Sequence, residues 1–327
     1  MNWKPLLGIV ITVVALTCFY GASEAQNALP IPVQTEIVIQ ARPGLINNDS
    51  YLQPLISSQT AVNHYLNLLG LRIEHVSTVV IFTSNDGLPG TTRVENFERL
   101  PQTGGFLLTG DFDPKRKLQA LRQLGWKEKE HAGKKILWWS TGDTYLISPG
   151  GEECVSALPE NRLLVTGSEM VMRNVLDISG GKKPGLASQG AFGTIAGLFE
   201  QDSLISMAAY VPASAEIRET IKAAVASSPT PSMEKALEYV DHVQNIGACF
   251  SGSGPYLLDS YFGMDSDNNA LIAASILQIG GDLASLLSKK NPAYEVLANM
   301  NTTREGSVIR IRSQFSRAQM IELMKRK

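Results

Sequence analysis

One pattern of strand, acidic cap and helix occurs twice in the chain, about 150 residues apart, and this repetition most constrains the fold. In the first copy the apolar run 105–110 is followed by Asp113 and Pro114. These two residues are typical of a helix start, because the carboxylate accepts hydrogen bonds from backbone N–H groups and proline has no N–H to lose. In the second copy the run 256–264 precedes the acidic segment 265–267 and a long helix-like segment. The pattern predicts two copies of one structural unit.

The order of the predicted elements is the same in both halves: strand, helix, strand, strand, helix, strand. Strands are expected to begin near residues 35, 76 and 105, and again near 204, 242 and 256. This is the order of the ferredoxin-like (βαββαβ) unit, so we predict an α+β fold of two such sandwich units with antiparallel sheets. The segment 179–188 contains two lysines, one proline and three glycines, and nothing in it can pack into a core. The units are therefore predicted to be residues 35–180 and 188–327.

The sequence makes a specific prediction for each of three helices. In the helix after Pro114, three leucines are predicted to face the core, namely Leu118, Leu121 and Leu124. The helix after Asp267 is apolar on nearly every face, which predicts that it is sandwiched between other elements rather than half exposed. Ser316 and Gln319 have the spacing of a capping box at the start of a last helix.

The N-terminal residues have the pattern of an export signal. Lys4 precedes an apolar run from Leu6 to Tyr20, and small residues follow, so residues 1–25 are predicted to be a signal peptide cleaved after Ala25. The apolar run of about fifteen residues is shorter than the roughly 20 that cross a bilayer, which disfavours an uncleaved anchor. Acylation at Cys18 is a further alternative that would tether the protein to the membrane. Residues 26–34 are proline-rich and are predicted to be an extended leader, and the mature chain is expected to be periplasmic or secreted, with no transmembrane span.

Charge and motifs exclude several classes of function. The formal net charge of the 327 residues is −2, which argues against a nucleic-acid-binding protein. The segment Ser251-Gly252-Ser253-Gly254 has the wrong spacing for a nucleophile elbow and is interpreted as a hairpin turn. No phosphate-binding glycine motif occurs, and the four histidines and the cysteines lack metal-ligand spacing. We therefore expect no cofactor and no metal site.

Two pairs of aspartates remain as candidate chemical groups, Asp111 with Asp113 and Asp265 with Asp267. Paired carboxylates at strand ends can bind a cation or act as acid and base. The simpler interpretation is that they cap helices, because the helix dipole stabilises a carboxylate at the N-terminus.

The segment from Asp113 to Lys135 carries eight cationic residues against three acidic ones, with tryptophans at positions 126, 138 and 139. The cations are Lys115, Arg116, Lys117, Arg122, Lys127, Lys129, Lys134 and Lys135. This composition indicates a surface for an anionic lipid, glycan or other envelope polymer. The alternative is a solvated helix face beside a hairpin whose tryptophans pack inward.

Signal removal leaves two cysteines, Cys154 and Cys249, in a compartment that permits disulfides. A bridge between them would close a loop of about 100 residues and join the two halves, contributing up to about 4–5 kcal/mol. The alternative is two buried thiols, since cysteine packs as a small apolar residue.

Some of these motifs support a resemblance. The export signal, the helix start Gly110-Asp111-Phe112-Asp113-Pro114 and the strand-to-helix segment 163–168 make the chain similar to a group of exported bacterial proteins of unknown function. The resemblance implies a bacterial envelope location and a duplicated α+β fold.

The first functional hypothesis is a non-catalytic envelope protein that binds or scaffolds an envelope partner. One alternative is an enzyme with a carboxylate site at strand ends. The other is a carrier of apolar ligands between the two halves.

Overall fold

The structure is a computed structural model. It describes residues 30–32, 35, 37–47, 66–67, 69–83, 104–140, 152–186, 203–210, 239–252, 255–288 and 299–319. These residues fall into two compact units, one within 24–189 and the other within 190–327. The predicted signal peptide and most of the predicted leader lie outside the described residues. The sequence also predicts a helix over 51–69, and only residues 66, 67 and 69 of it are described.

The described part of the first unit is an antiparallel sheet with helices. Its strands are β1 (Ile37–Ala41), β2 (Val76–Thr83), β3 (Gly105–Gly110), β4 (Lys127–His131), β5 (Lys134–Ser140), β6 (Glu152–Leu158) and β7 (Arg162–Thr166). Its helices are α1 (Pro43–Asn47), α2 (Pro114–Gln123) and α3 (Glu169–Ser179), with a short 3-10 helix at Ile73–His75. Neighbouring strands pair antiparallel in the order β1-β2-β3-β7-β6-β5-β4.

Helices α2 and α3 cover opposite faces of this sheet. Leu118 and Leu121 of α2 share a core with Leu137 of β5 and with Val155, Leu163 and Val165. On α3 the buried residues are Val171, Met172, Val175 and Leu176. The side chain of α3 residue Asp177 contacts His131 of β4, which lies opposite Lys134. Successive side chains of β5 point to opposite faces, so Lys134 and Leu137 lie on different sides of the sheet.

The β4–β5 hairpin turns at Ala132 and Gly133. Both residues have positive φ, 53° and 72° respectively. A two-residue turn of this kind matches the right-handed twist of the flanking strands. The turn fixes the register of the hairpin, with His131 opposite Lys134.

The second unit is also an antiparallel sheet. Its described elements are β8 (Ser203–Tyr210), β9 (Val243–Ser251), β10 (Tyr256–Met264), α4 (Asp267–Ser288), β11 (Asn301–Glu305) and β12 (Val308–Phe315). The strands are ordered β8-β9-β10-β12-β11. Ala270, Ala273, Ala274 and Leu277 of α4 pack over Val243, Met264, Ile309 and Ile311. The predicted capping box is present, since Ser316 N–H donates to Gln319 Oε1 at 2.8 Å and Gln319 N–H donates to Ser316 Oγ at 3.2 Å.

The two units share a detail of strand pairing. In the first unit Val76 pairs with Gly110 and Thr78 with Thr109, so one residue of β2 is skipped. In the second unit Val243 pairs with Met264 and Asn245 with Gly263, which skips one residue of β9 at the same place. The backbone N–H of Asp111 donates to the His75 carbonyl at 2.8 Å, and that of Asp265 donates to the His242 carbonyl at 2.9 Å. These matches define structurally equivalent positions in the two units.

The α+β class with antiparallel sheets is confirmed, but the described strand order is not ferredoxin-like. In a ferredoxin-like sheet the third strand lies between the first and the second. Here β1 pairs directly with β2, and β8 pairs directly with β9. The order of elements along the chain is compatible with either arrangement, because it does not specify which strands become neighbours.

The prediction that α4 is sandwiched was wrong for its described side chains. Leu271 is 51% exposed and Ile279 is 57% exposed, while on the sheet side Ala270 is buried and Ala273, Ala274 and Leu277 are partly buried. The expectation for α2 was also wrong at one position. Leu124 is 62% exposed, and it is the C-cap residue that directly follows the last helical residue, Gln123.

Candidate functional site

The eight cations predicted as a binding surface do not form one patch. Four belong to α2, two to β4 and two to β5. Because α2 and α3 cover opposite faces of the sheet, the strand cations divide between these faces. Lys135 lies on the α2 side, whereas Lys127, Lys129 and Lys134 lie on the α3 side.

On the α2 side, Glu128 forms ion pairs with two of the cations. Arg122 Nη2 lies 2.5 Å from Glu128 Oε2, and Lys135 Nζ lies 2.8 Å from Glu128 Oε1. The hydrogen bond from Lys135, with a smaller contribution from Arg122, holds the pKa of Glu128 below its ordinary value. These two cations are therefore partly neutralised within the protein.

The first turn of α2 presents the most exposed cations. The Lys115 and Arg116 backbone N–H groups donate to Asp113 Oδ1 at 2.9 and 3.4 Å, while both side chains are exposed. Arg116 Nε lies 3.5 Å from Asp113 Oδ2 in an exposed pair. Lys117 is less accessible, because its ammonium group donates to the Gly70 carbonyl at 2.7 Å. Lys115 and Arg116 are thus the cations best placed to meet a partner.

On the α3 side, the cations attach the hairpin to the helix. Lys127 and Lys129 lie over the Trp138 ring, 5.0 and 4.2 Å from its centroid, and Lys129 also pairs with Glu169. His131 Nε2 lies 2.8 Å from Asp177 Oδ1. These partners lower the pKa of Glu169 and of Asp177, chiefly through the hydrogen bonds from Lys129 and His131.

Lys134 completes this group. Its Nζ donates to Ser179 Oγ at 3.1 Å, and partial burial lowers its pKa. The α3-side cations therefore serve the packing of the hairpin. The three tryptophans neither all pack inward nor all lie on a binding surface. Trp126 is buried, Trp138 is half-buried and Trp139 is exposed.

Two of the four candidate aspartates, Asp113 and Asp265, make local contacts. Asp113 caps α2, as its two backbone hydrogen bonds show. Asp265 accepts from Asn269 Nδ2 at 2.7 Å and lies 2.7 Å from His242 Nδ1, and these contacts, the Asn269 bond first, lower its pKa. Ser266, rather than a carboxylate, accepts the Asn269 backbone N–H at 3.2 Å. No group of three or more His, Cys, Asp or Glu side chains that could hold a metal occurs among the described residues.

The role of Asp113 as a cap is testable. Asp113→Ala should lower the free energy of unfolding by about 1 kcal/mol, because two backbone N–H groups of α2 lose their acceptor. Asp113→Asn should leave stability nearly unchanged, since the amide oxygen accepts the same bonds. Urea unfolding of both variants measures this, and equal losses in both would show that the carboxylate charge, rather than capping, is what the position needs.

The two cysteines lie in different units. Cys154 is buried on β6 opposite Trp138 and Thr166, and Cys249 is buried on β9 opposite Ser206 and Asp259. Their pairing stays a prediction.

Thiol labelling of denatured, unreduced mature protein tests the predicted bridge. If Cys154 and Cys249 pair, no thiol should be labelled until a reductant is added. Labelling of both cysteines without reductant would contradict the bridge.

Sequence reasoning missed a charged cluster in the second unit. Asp259 on β10 is buried, and Arg310 and Arg312 on β12 both bind its carboxylate. Arg310 Nε and Nη2 donate at 2.9 and 2.8 Å, and Arg312 Nε and Nη2 donate at 2.9 and 2.7 Å. Burial alone would raise the pKa of Asp259, but the hydrogen bonds and charges of Arg312 and Arg310 outweigh it and hold the pKa below its ordinary value. The signal in the sequence was the spacing of two arginines within an apolar strand.

No family model matches the sequence, and no curated protein matches it. Solved structures of TP0453 resemble it. Crystal form I has a TM-score of 0.46 and 14% identity, covering 93% of this chain and 98% of that one. Crystal form III has a TM-score of 0.45 and 10% identity, covering 90% and 96%. Among the described residues, no helix has both the length and the apolar character needed to cross a membrane.

Proposed function

We propose that this protein is an exported bacterial envelope protein that binds an anionic envelope polymer and performs no catalysis of its own. The signal-like N-terminal sequence supports export, with cleavage after Ala25 and a periplasmic or secreted mature chain. The observation that carries the binding role is the exposed first turn of α2, with Lys115 and Arg116. The local use of the candidate aspartates weakens the alternative of a carboxylate enzyme.

The position of these cations supports a role in binding. Apart from the capping Asp113, the first turn of α2 contains no acidic residue, and three consecutive cations occupy it. The helix dipole disfavours positive charge at this end by about 0.3–1 kcal/mol for each residue. Lys117 gains a hydrogen bond to Gly70 in return. The exposed Lys115 and Arg116 gain little within the fold, which is what a surface selected for an external anion would show.

We further infer that the chain arose by internal duplication. The shared skipped residue in strand pairing and the equivalent hydrogen bonds of Asp111 and Asp265 support this inference. Among the described residues, the β4–β5 hairpin that follows α2 in the first unit has no counterpart in the second unit. The exposed cations of α2 lie next to this hairpin in the chain.

Charge reversal tests the binding role. Lys115→Glu with Arg116→Glu should abolish co-sedimentation of the mature protein with envelope fragments or anionic vesicles. Wild-type binding should weaken as salt rises, because exposed charges are screened beyond roughly 8 Å at physiological ionic strength. The melting temperature should stay the same or rise slightly, since acidic residues suit the helix N-terminus.

The matched control is Lys182→Glu with Lys183→Glu, which changes the net charge equally on an exposed segment after α3. This control should retain binding. Salt-insensitive binding that survives in the α2 variant would overturn the proposal, and equal loss in both variants would show that only the net charge matters.

A further inference from the structure

Glu153 on β6 is a buried carboxylate that the protein leaves unpaired. The residue is 7% exposed, and among the described residues its side chain has no hydrogen bond or ion pair. Burial raises the pKa of this carboxyl from 4.5 to about 7. Buried charges in proteins are normally paired, because desolvation without a partner costs stability. Groups perturbed in this way occur mostly at functional sites, which favours a role for Glu153 in binding.

Glu153 lies in a row with two tryptophans across three strands. Trp139 of β5 is its cross-strand neighbour. Both side chains lie on the α2 side, because Leu137 and Val155, two residues along each strand, belong to the core beneath α2. The ring centroids of Trp139 and the buried Trp126 are 6.2 Å apart, and Trp139 is 38% exposed. The row therefore places an indole ring that is supported on one side and open to solvent next to an unpaired carboxylate.

The C-terminal end of α2 borders the same row. A Cβ atom placed on Gly125 would lie 3.6 Å from Cζ3 of the Trp139 ring, so the chain that leaves α2 lies against this ring. Leu124, the preceding residue, is exposed. The C-terminal end of a helix carries a partial negative charge, which favours a cation nearby. The helix end and the Glu153 carboxylate thus attract charge of the same sign.

The charged groups on this side of the hairpin do not neutralise Glu153. They are Glu128 and Glu130 of β4 and Lys135 of β5, and Arg122 adds a cation from the last turn of α2. Arg122 and Lys135 both bind Glu128. Glu130 is exposed and has the same charge sign as Glu153. The cation that would balance Glu153 is therefore missing from the described residues.

We propose that Glu153 and Trp139 bind an organic ammonium group, with the carboxylate neutralising its charge and the indole ring contacting its alkyl groups. Tryptophan attracts such cations more strongly than the other aromatic side chains, because the face of its ring is negative. The carboxylate favours a cation over an uncharged ligand, which would pack on the ring but leave the buried charge unbalanced. The site lies at the opposite end of α2 from Lys115 and Arg116.

Titration with tetramethylammonium tests the site in the mature protein. Tetramethylammonium chloride replaces sodium chloride at constant ionic strength while the indole N–H signals are followed by NMR. At pH 8 the Trp139 signal should shift and saturate. Trp138 is an internal control whose signal should not change, because its ring lies on the α3 side beneath Lys127 and Lys129. The uncharged probe tert-butanol should give no saturable shift.

Removing the charge of Glu153 should remove most of the binding. Glu153→Gln should weaken tetramethylammonium binding at least about tenfold at pH 8. Wild-type binding should weaken by at least about tenfold from pH 8 to pH 5, because protonation abolishes the charge, and this pH dependence should be absent in Glu153→Gln. Trp139→Leu should weaken binding roughly fivefold. Glu130→Gln is the matched control, since it removes one exposed charge from the same side of the hairpin, and it should retain binding.

Unchanged affinity in Glu153→Gln, or equally strong binding of tert-butanol, would overturn the proposal. Vesicles of phosphatidylcholine then identify the source of the ammonium group. Co-sedimentation that tetramethylammonium reverses would assign it to a lipid headgroup, and binding of tetramethylammonium without co-sedimentation would assign it to a soluble compound. The variant Lys115→Glu with Arg116→Glu should leave the tetramethylammonium titration unchanged, so failure here is distinct from failure of the envelope-polymer proposal.

Discussion

Replacing Arg310 and Arg312 together by methionine should lower the free energy of unfolding by about 3–5 kcal/mol at neutral pH, because the buried Asp259 carboxylate is left without its partners. The arginines are partly solvated, whereas Asp259 is not, so the aspartate is the charge that is stranded. Chemical unfolding of the double variant measures the loss. In the wild type, the stability that the two arginines supply by pairing with ionised Asp259 is present at neutral pH. It is lost as pH falls through the lowered pKa of Asp259.

A triple variant supplies the control for this experiment. Adding Asp259→Met removes the stranded carboxylate, and the triple variant should recover most of the lost stability, since apolar replacements of buried ion clusters are often neutral or stabilising. The strand pairing makes Gly105, Leu164 and Thr166 of the first unit equivalent to Asp259, Arg310 and Arg312, and none of these three residues is charged. A double variant as stable as the wild type would show that Asp259 is solvated well enough to need no partner.

Glu153→Gln should stabilise the protein, and the gain should grow with pH. Glu153 on β6 is 7% exposed, and burial raises its pKa from 4.5 to about 7. The folded state therefore holds a proton that the unfolded state releases between these values, so the wild type loses stability as pH rises through this range. A pKa shift of this size lowers the free energy of unfolding of the wild type by about 3 kcal/mol above pH 7. Below pH 4 it causes no loss.

Urea unfolding of Glu153→Gln and the wild type from pH 4 to pH 8 measures this difference. The two proteins share every other titrating group, so the difference in their unfolding free energies isolates Glu153. We expect the curves to meet at low pH and to separate above about pH 5. A constant difference across this range would mean that Glu153 is hydrated in the folded state.

Local features of the fold were predictable from the sequence. The Asp113 cap of α2, the Ala132-Gly133 hairpin and the Ser316 capping box each depend on residues within a few positions of one another. Strand pairing was not predictable in the same way. The choice of β1–β2 neighbours over a ferredoxin-like order depends on contacts between distant segments, which the order of elements leaves open.

The candidate sites also depend on contacts between distant segments, which the sequence did not predict. The basic segment was visible in the sequence, but its division between two faces follows from the packing of α3 against β4, which brings Lys129 and His131 to Glu169 and Asp177. The Asp259 cluster was hidden, because arginines alternating with isoleucines in β12 are also typical of a half-exposed strand. Only the pairing of β12 with β10 brings Asp259 to the arginines.

The outer strand β4 has a consequence for self-association. Among the described strands of the first unit, β4 is the last in the sheet order, and its residues alternate in charge as Lys-Glu-Lys-Glu-His. Because side chains alternate between faces, Lys127, Lys129 and His131 share one face and the two glutamates share the other. If two copies paired antiparallel along this edge about a two-fold axis, the same faces of both strands would align. Lys127, Lys129 and His131 would then lie opposite one another, and glutamate would lie opposite glutamate. Like charges opposite each other destabilise a strand pair. This charge pattern therefore disfavours pairing of β4 with its own copy and protects the first unit against edge-to-edge aggregation. A strand whose charges alternate in the opposite order could still pair with it.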